Sequence, residues 1–566
     1  MSPCRLRAAQ RGLSLIVTLV VTAGVAIAIG SALCLTASRS NLTRRVSQYD
    51  RSVAAAVAAT QKVHAGMVRD FLHGGEPAVY NNLSAYRGLV PTTAEVLDAL
   101  EALTGKPLSE LAWKDEQFVD AAGQLNQTSV QRRSDWAFRD LQTRLSGLRG
   151  YAADYTIIAG SRRLNTDYNI QPTVRQDVQV ASIPIFQYHL FYVPDMEIHP
   201  SGTGMSFNGR VHCNANIYCK PEGTVTFHNH VTAARKFVSA RHPDDPVTPK
   251  SGRGVFRAER VTGVNTLNIP IKTANTPANL RALVESPTLL ELPSSPLGQQ
   301  RFYNKADLLI EINHGNIVAR SGIYNGSSVP VTWIRRIVTI TGQSVYDKRE
   351  CEEFDMIDVD ILKLRENLTE LIALLGRPVK IIWIADKSLP ATLNPRAVRI
   401  HNAEQLPAGG LTIATPNPLY VWGDFNKVAP VPACLAADAV TVLSKNWADV
   451  NAPLGLGSRN AVDTIVYAAI ITGIVPTGAG SYSGGVENVI RLLENWNGRT
   501  LTFNGAAAVL YYSVRANAPW GGPDVYAPPT RKYNYDSNLS QLGTMPPGTP
   551  EVRTILHGDW TVVATQ

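Results

Sequence analysis

The chain has 566 residues, 45% of them hydrophobic and 18% charged, with a formal net charge of +8. That length supports two or three domains with a substantial core, and the low charged fraction excludes a disordered chain. No dense Lys/Arg patch interleaved with aromatics occurs, which argues against nucleic acid as a partner, and six cysteines are too few for a disulfide scaffold.

The first element is apolar. Arg5, Arg7 and Arg11 form a basic start, and no charged residue follows until Arg39. The stretch between them is long enough to cross a bilayer, with Leu15, Ile16, Val17, Leu19, Val20, Val21, Val25, Ile27, Ile29, Leu33 and Leu35 as its anchoring residues. An unbroken apolar circumference of that length does not suit a soluble core helix. The expected location is a single pass through the inner membrane, with the body in the periplasm or on the cell surface. Arg39, Arg44 and Arg45 place positive charge on the far side too, so the charge rule orients the span only weakly.

Three processing outcomes compete. Signal-peptide cleavage would use Ala32 with Cys34 or Thr36 with Ser38, and a lipoprotein site is disfavoured because Leu33 precedes Cys34. The third is cleavage after Gly12, leaving the helix on the mature chain, and the plain alternative to it is an uncleaved anchor. The run Arg11-Gly12-Leu13-Ser14-Leu15-Ile16 resembles the prepilin cleavage site of type IV pilins, with Gly12 and Leu13 as the processing residues. The resemblance implies a prepilin peptidase and other pilin-like subunits as partners. Pilins usually carry Glu at the fifth mature position, where this chain has Val17. That departure is shared by PilX-type proteins and by large minor pseudopilins at filament tips.

Residues 46–72, with the run Ala54-Ala55-Ala56-Val57-Ala58-Ala59, favour helix and should extend the span into a stalk. His73-Gly74-Gly75 and Pro77 should end it. Residues 76–150 read as a helical collar, from apolar positions at helical spacing over 92–103 and 134–148. From residue 151 onward short alternating strands recur every ten residues or so, parted by Gly, Asn and Pro. A meander and a β-solenoid both satisfy that spacing, and single inward aliphatics beside Gly or Asn corners favour the solenoid. The expected fold is thus α+β. A leader (1–12), span and stalk (13–75) and collar (76–150) precede a β-rich, β-helix-like body in two parts (151–345 and 377–566), parted by a helical insertion (346–376).

The elements Gly209-Arg210-Val211-His212-Cys213-Asn214-Ala215-Asn216-Ile217-Tyr218, Pro418-Leu419-Tyr420-Val421-Trp422-Gly423-Asp424-Phe425-Asn426, Val486-Glu487-Asn488 and Leu493-Glu494-Asn495-Trp496 look like the ectodomain of large PilX-like pilus assembly proteins. That resemblance implies a location and assembly partners more than a chemical act.

Chemistry-bearing motifs are few. Cys213, Cys219, His228 and His230 are weak metal candidates as a two-Cys, two-His set, although polar corners explain them better. Cys213 and Cys219 are also close enough to bridge neighbouring turns. Asp355, Asp358 and Asp360 lack the Gly and distal Glu of a calcium loop, and read as solvated carboxylates at a helix start. Gly480-Ser481-Tyr482-Ser483-Gly484 has Tyr where a nucleophile elbow needs Ser, and reads as a flexible loop. No cofactor motif occurs. The expectation is a non-enzymatic, membrane-anchored structural component of a type IV pilus or pseudopilus-like assembly. The alternative is an anchored carbohydrate-binding adhesin or polysaccharide-active enzyme on a β-helix scaffold.

Overall fold

The computed structural model describes residues 7–92, 115–142, 145–166, 168–202, 204–322, 326–388, 394–478, 480–521 and 524–563, with side chains from 17 onward apart from 341–343. Residues 1–6 of the leader and the collar segment 93–114 lie outside the described residues. For Gly12, Leu13, Leu15 and Ile16 only the helical backbone is described.

Helix α1 (Arg7–Asn81) runs for 75 residues, about 110 Å at an α-helical rise. It is two helices meeting at Gly75, whose φ of 71° suits a residue without a Cβ. The predicted break is thus in place, but helix resumes to Asn81 with Pro77 at the start of the resumed segment, and the short α2 (Leu83–Arg87) follows.

The expected helical collar is corrected by three short strands. They are β1 (Glu116–Val119), β2 (Ser129–Arg132) and β3 (Ala137–Asp140), all pairing antiparallel with β4 (Arg149–Arg163). Of these, β3 lies where apolar positions fall at helical spacing, and there the long edge that β4 offers overrides the helix. Strand β5 (Thr173–Pro184) pairs with β4, and the last strand of the chain, Glu551–Val563, pairs antiparallel with β5. β4 and β5, placed by the expected division in the first part of the body, therefore belong to the sheet beneath α1 rather than to the repeating body.

The repeating body is built on parallel ladders. Met196–Ile198, Ile217–Cys219 and Phe237–Val238 pair in sequence, as do Gly204–Phe207, Thr224–Phe227 and Arg253–Phe256. Equivalent positions stack. The rings of Phe207, Phe227 and Phe256 follow one another at 5.6 and 5.0 Å. A second parallel series runs Leu308–Asn313, Ile381–Asp386, Leu411–Ala414, Ala433–Ala437, Thr464–Ile474 and Thr500–Tyr512. The last of these pairs with Tyr188–Tyr192, so one 13-stranded sheet joins both expected halves of the body. Both faces of its central strands, Ile381–Asp386, Leu411–Ala414 and Ala433–Ala437, are buried, which suits near-continuous apolar runs. Ile310 and Ile384 face one core, while Leu309 and Trp383 face another under the segment carrying Leu280, Leu283 and Phe302.

The expected helical insertion over 346–376 is helical only in its second half. Val338–Asp347 and Glu352–Asp360 form an antiparallel pair, and helix occupies only Ile361–Glu366 and Leu368–Leu375. Met356, Ile357 and Val359 extend a sheet continued in parallel by Arg396–His401, Leu419–Trp422, Val440–Leu443 and Ile490–Leu492. The architecture is a long N-terminal helix followed by a large β-rich body. No closed solenoid is found among the described residues.

Candidate functional site: the anchor helix, its seat and a groove on the body

The two halves of α1 have opposite surroundings. From Val17 to Leu35 every large apolar side chain is exposed, and this helix is long and apolar enough to cross a membrane. An added methyl at Gly24 or Gly30 would meet nothing within 4 Å. At 100° per residue, Gly24 and Ala28 share one face, while Ala26 and Gly30 share nearly the opposite one. Further along, Ser52, Ala55, Ala56, Ala59, Val63, Met67 and Phe71 are fully buried at helical spacing against β4, β5 and the final strand. Alanines let the helix axis approach the sheet closely.

Polar contacts fix that seat. Gln48 Nε2 donates to Thr166 Oγ1 and to the Tyr168 carbonyl, both at 3.0 Å. Ser52 Oγ donates to Glu116 Oε2 at 3.0 Å. Where α1 breaks, Arg553 of the final strand donates to the carbonyls of Phe71 and Leu72 at 3.1 and 3.2 Å, satisfying acceptors the helix leaves open. Just past the break, Tyr155 donates to Glu76 at 2.7 Å, and Arg132 pairs with the same carboxylate at 3.1 Å. His64 stacks on His557 with ring centroids 4.0 Å apart.

The weak metal set is not assembled. Cys213 and Cys219 are buried free thiols, so no disulfide joins them. Burial pushes both thiols up to about 12. His228 is exposed and His230 leans on Asn229. Among the described residues a different trio is close, Glu197, His199 and Asp245, with ligand atoms within 4.8 Å of one another. Its hydrogen bonds argue against a cation. His199 Nδ1 accepts from the Lys220 amide at 3.2 Å, so Nε2 carries the proton and faces Glu197 Oε2 at 3.7 Å. Asp245 is taken by Arg241 at 2.6 Å.

Thr477 and Ser483 close this network. Ser483 donates to Glu197 at 2.9 Å, and Thr477 donates to the same oxygen. Burial pushes the Glu197 carboxyl up, but the His199 imidazole and these two hydroxyls outweigh it and hold it below its ordinary value. The Gly480–Gly484 segment is therefore no flexible loop, since Tyr482 and Ser483 are buried. The acidic run is corrected as well. Asp360 caps the helix that follows it, as a residue at a helix start should, but Asp358 is buried and paired with Arg399.

One groove stands out on the body, with a volume of about 620 Å³. It crosses the ends of four adjacent rungs. Arg365 follows the Glu352–Asp360 strand, His401 ends the next rung, Trp422 the one after, and Lys445 lies just past the fourth. Trp422 is half-buried, with the Arg399 guanidinium 4.9 Å from its ring. Nothing in the spacing of these residues announced a site, although Trp422 and Asp424 lie inside a motif quoted for its resemblance.

No protein-family model and no curated protein matches the chain. Among solved structures it is similar to the competence-associated pilin ComZ from Thermus thermophilus, at 9% identity, covering 92% of this chain and 98% of that chain, with a TM-score of 0.29. At that score the two folds are not shown to be the same.

Proposed function

We propose that this chain is a membrane-anchored structural component of a type IV pilus-like or pseudopilus-like assembly, processed after Gly12, which holds its body outside the cytoplasmic membrane. The observation that carries the reading is the division of α1. One half is bare and apolar, and the other is locked to the body, so the body projects rigidly from whatever holds the bare half. The parallel ladders support reading the body as an open β-solenoid, in which each rung presents its end residues to solvent. Small residues on two opposite faces of the span suit packing between two neighbouring helices. Val17 cannot supply the carboxylate that ordinary pilins place at that position, which suits a minor or tip subunit better than a repeating one.

The test is photo-crosslinking in the native envelope from a reactive amino acid at Val25. Adducts with pilin-like subunits are expected, and adducts with lipid alone would overturn the assembly reading.

A second reading, an anchored carbohydrate-binding adhesin or polysaccharide-active enzyme on the same stalk, is favoured by the groove with Trp422 on its wall. The two readings are compatible where the groove binds without cleaving.

A further inference from the structure

We propose that the groove across the four rung ends binds an extended polysaccharide, with one pyranose ring stacked on Trp422. The inference rests on the reading of the body as a projecting binding surface. Parallel rungs repeat at about 4.8 Å, close to the advance of one sugar unit along an extended glycan. A chain lying across the rungs would meet a fresh set of side chains at each unit, an arrangement that a compact ligand would not use. At about 620 Å³ the groove falls in the range of ligand sites.

Its wall is prepared for such a ligand. The Arg399 guanidinium near Trp422 is itself held by Asp358 at 2.5 and 3.0 Å and by Asp449 at 2.7 Å, so the indole is steadied before anything binds. The exposed side chains of Asn402, Glu404 and Lys445 offer both donors and acceptors, as sugar hydroxyls require. Charges of both signs line the groove, which disfavours a strongly anionic polymer. Asp424, the buried carboxylate there, accepts from the Ile465 amide and pairs with Lys427, both at 2.7 Å. It is committed to structure, so the site is assigned to binding and not to cleavage.

The test uses the full-length protein in lipid nanodiscs, avoiding detergents with sugar headgroups. Cellohexaose, chitohexaose and maltohexaose serve as probes, read by saturation-transfer NMR and tryptophan fluorescence. Binding of at least one hexaose is expected, tighter than that of its dimer. Trp422→Ala should weaken it about tenfold, with Trp422→Phe close to wild type. Glu404→Gln, a change of nearly equal shape at an exposed position, should also weaken binding and guards against misfolding of the alanine variant. Absence of binding by all three hexaoses at millimolar concentration, or binding indifferent to both Trp422→Ala and Glu404→Gln, would overturn the proposal. Either result would leave the anchor reading standing, because that reading is tested by crosslinking and by the processed N-terminus.

Discussion

His64 on α1 and His557 on the final strand tie the seat of the stalk to pH. Burial, and then repulsion by His557, pushes His64 from 6.5 down to about 4, and burial lowers His557 too. An unfolded histidine takes up its proton near 6.5, whereas folded His64 does so only near 4. Between those values the unfolded state holds more protons, so stability falls as pH drops through that window. His189, lowered to about 3, and His212, lowered to about 4, act in the same direction. The melting temperature should therefore fall from pH 6.5 to 4, and His64→Gln should flatten part of that slope. Equal slopes for variant and wild type would show that His64 does not titrate with unfolding. Such a role was not readable in the sequence, where His64 is one polar residue on a helix and its partner lies almost 500 positions away.

At the scale of elements, the rungs depend on close approach. In Thr500–Tyr512, Gly505 lies opposite Ala468, and a Cβ there would sit 1.8 Å from the Ala468 carbonyl oxygen. Gly505→Ala should cost several kcal/mol, on the order of 3 or more, or abolish soluble folding. Gly24→Ala, with nothing within 4 Å of the new methyl, should leave the melting temperature of the protein unchanged. Thermal unfolding of the two variants side by side checks the contrast. Elements with strong local signals were legible in the sequence. Residues 381–384, 411–413, 419–422 and 464–471 form strands as their apolar runs predict. Residues 137–140 and 355–360 depart from the expected helix because they pair with β4 and with the Arg396–His401 rung, partners that no local window contains.

At the scale of the molecule, the chain closes on itself. The final strand returns to β5, Arg553 reaches the carbonyls of α1, and Thr500–Tyr512 pairs back with Tyr188–Tyr192. The sequence carried the apolar span plainly, as an uncharged run between Arg11 and Arg39. It did not carry the groove, whose walls are side chains some 80 positions apart gathered by rung stacking. Nor did it reveal that the stalk is clamped by the opposite end of the chain. The clamp matters for the account, since a body rigidly joined to a bare apolar helix suits assembly into a larger object.

The most direct test of that account is the intact mass of the N-terminal peptide from protein purified out of its native membrane. Processing after Gly12 predicts a chain that starts at Leu13, with an N-methyl group as in prepilin-processed subunits. A chain that starts at Met1, or one that starts beyond Ala32, would contradict it.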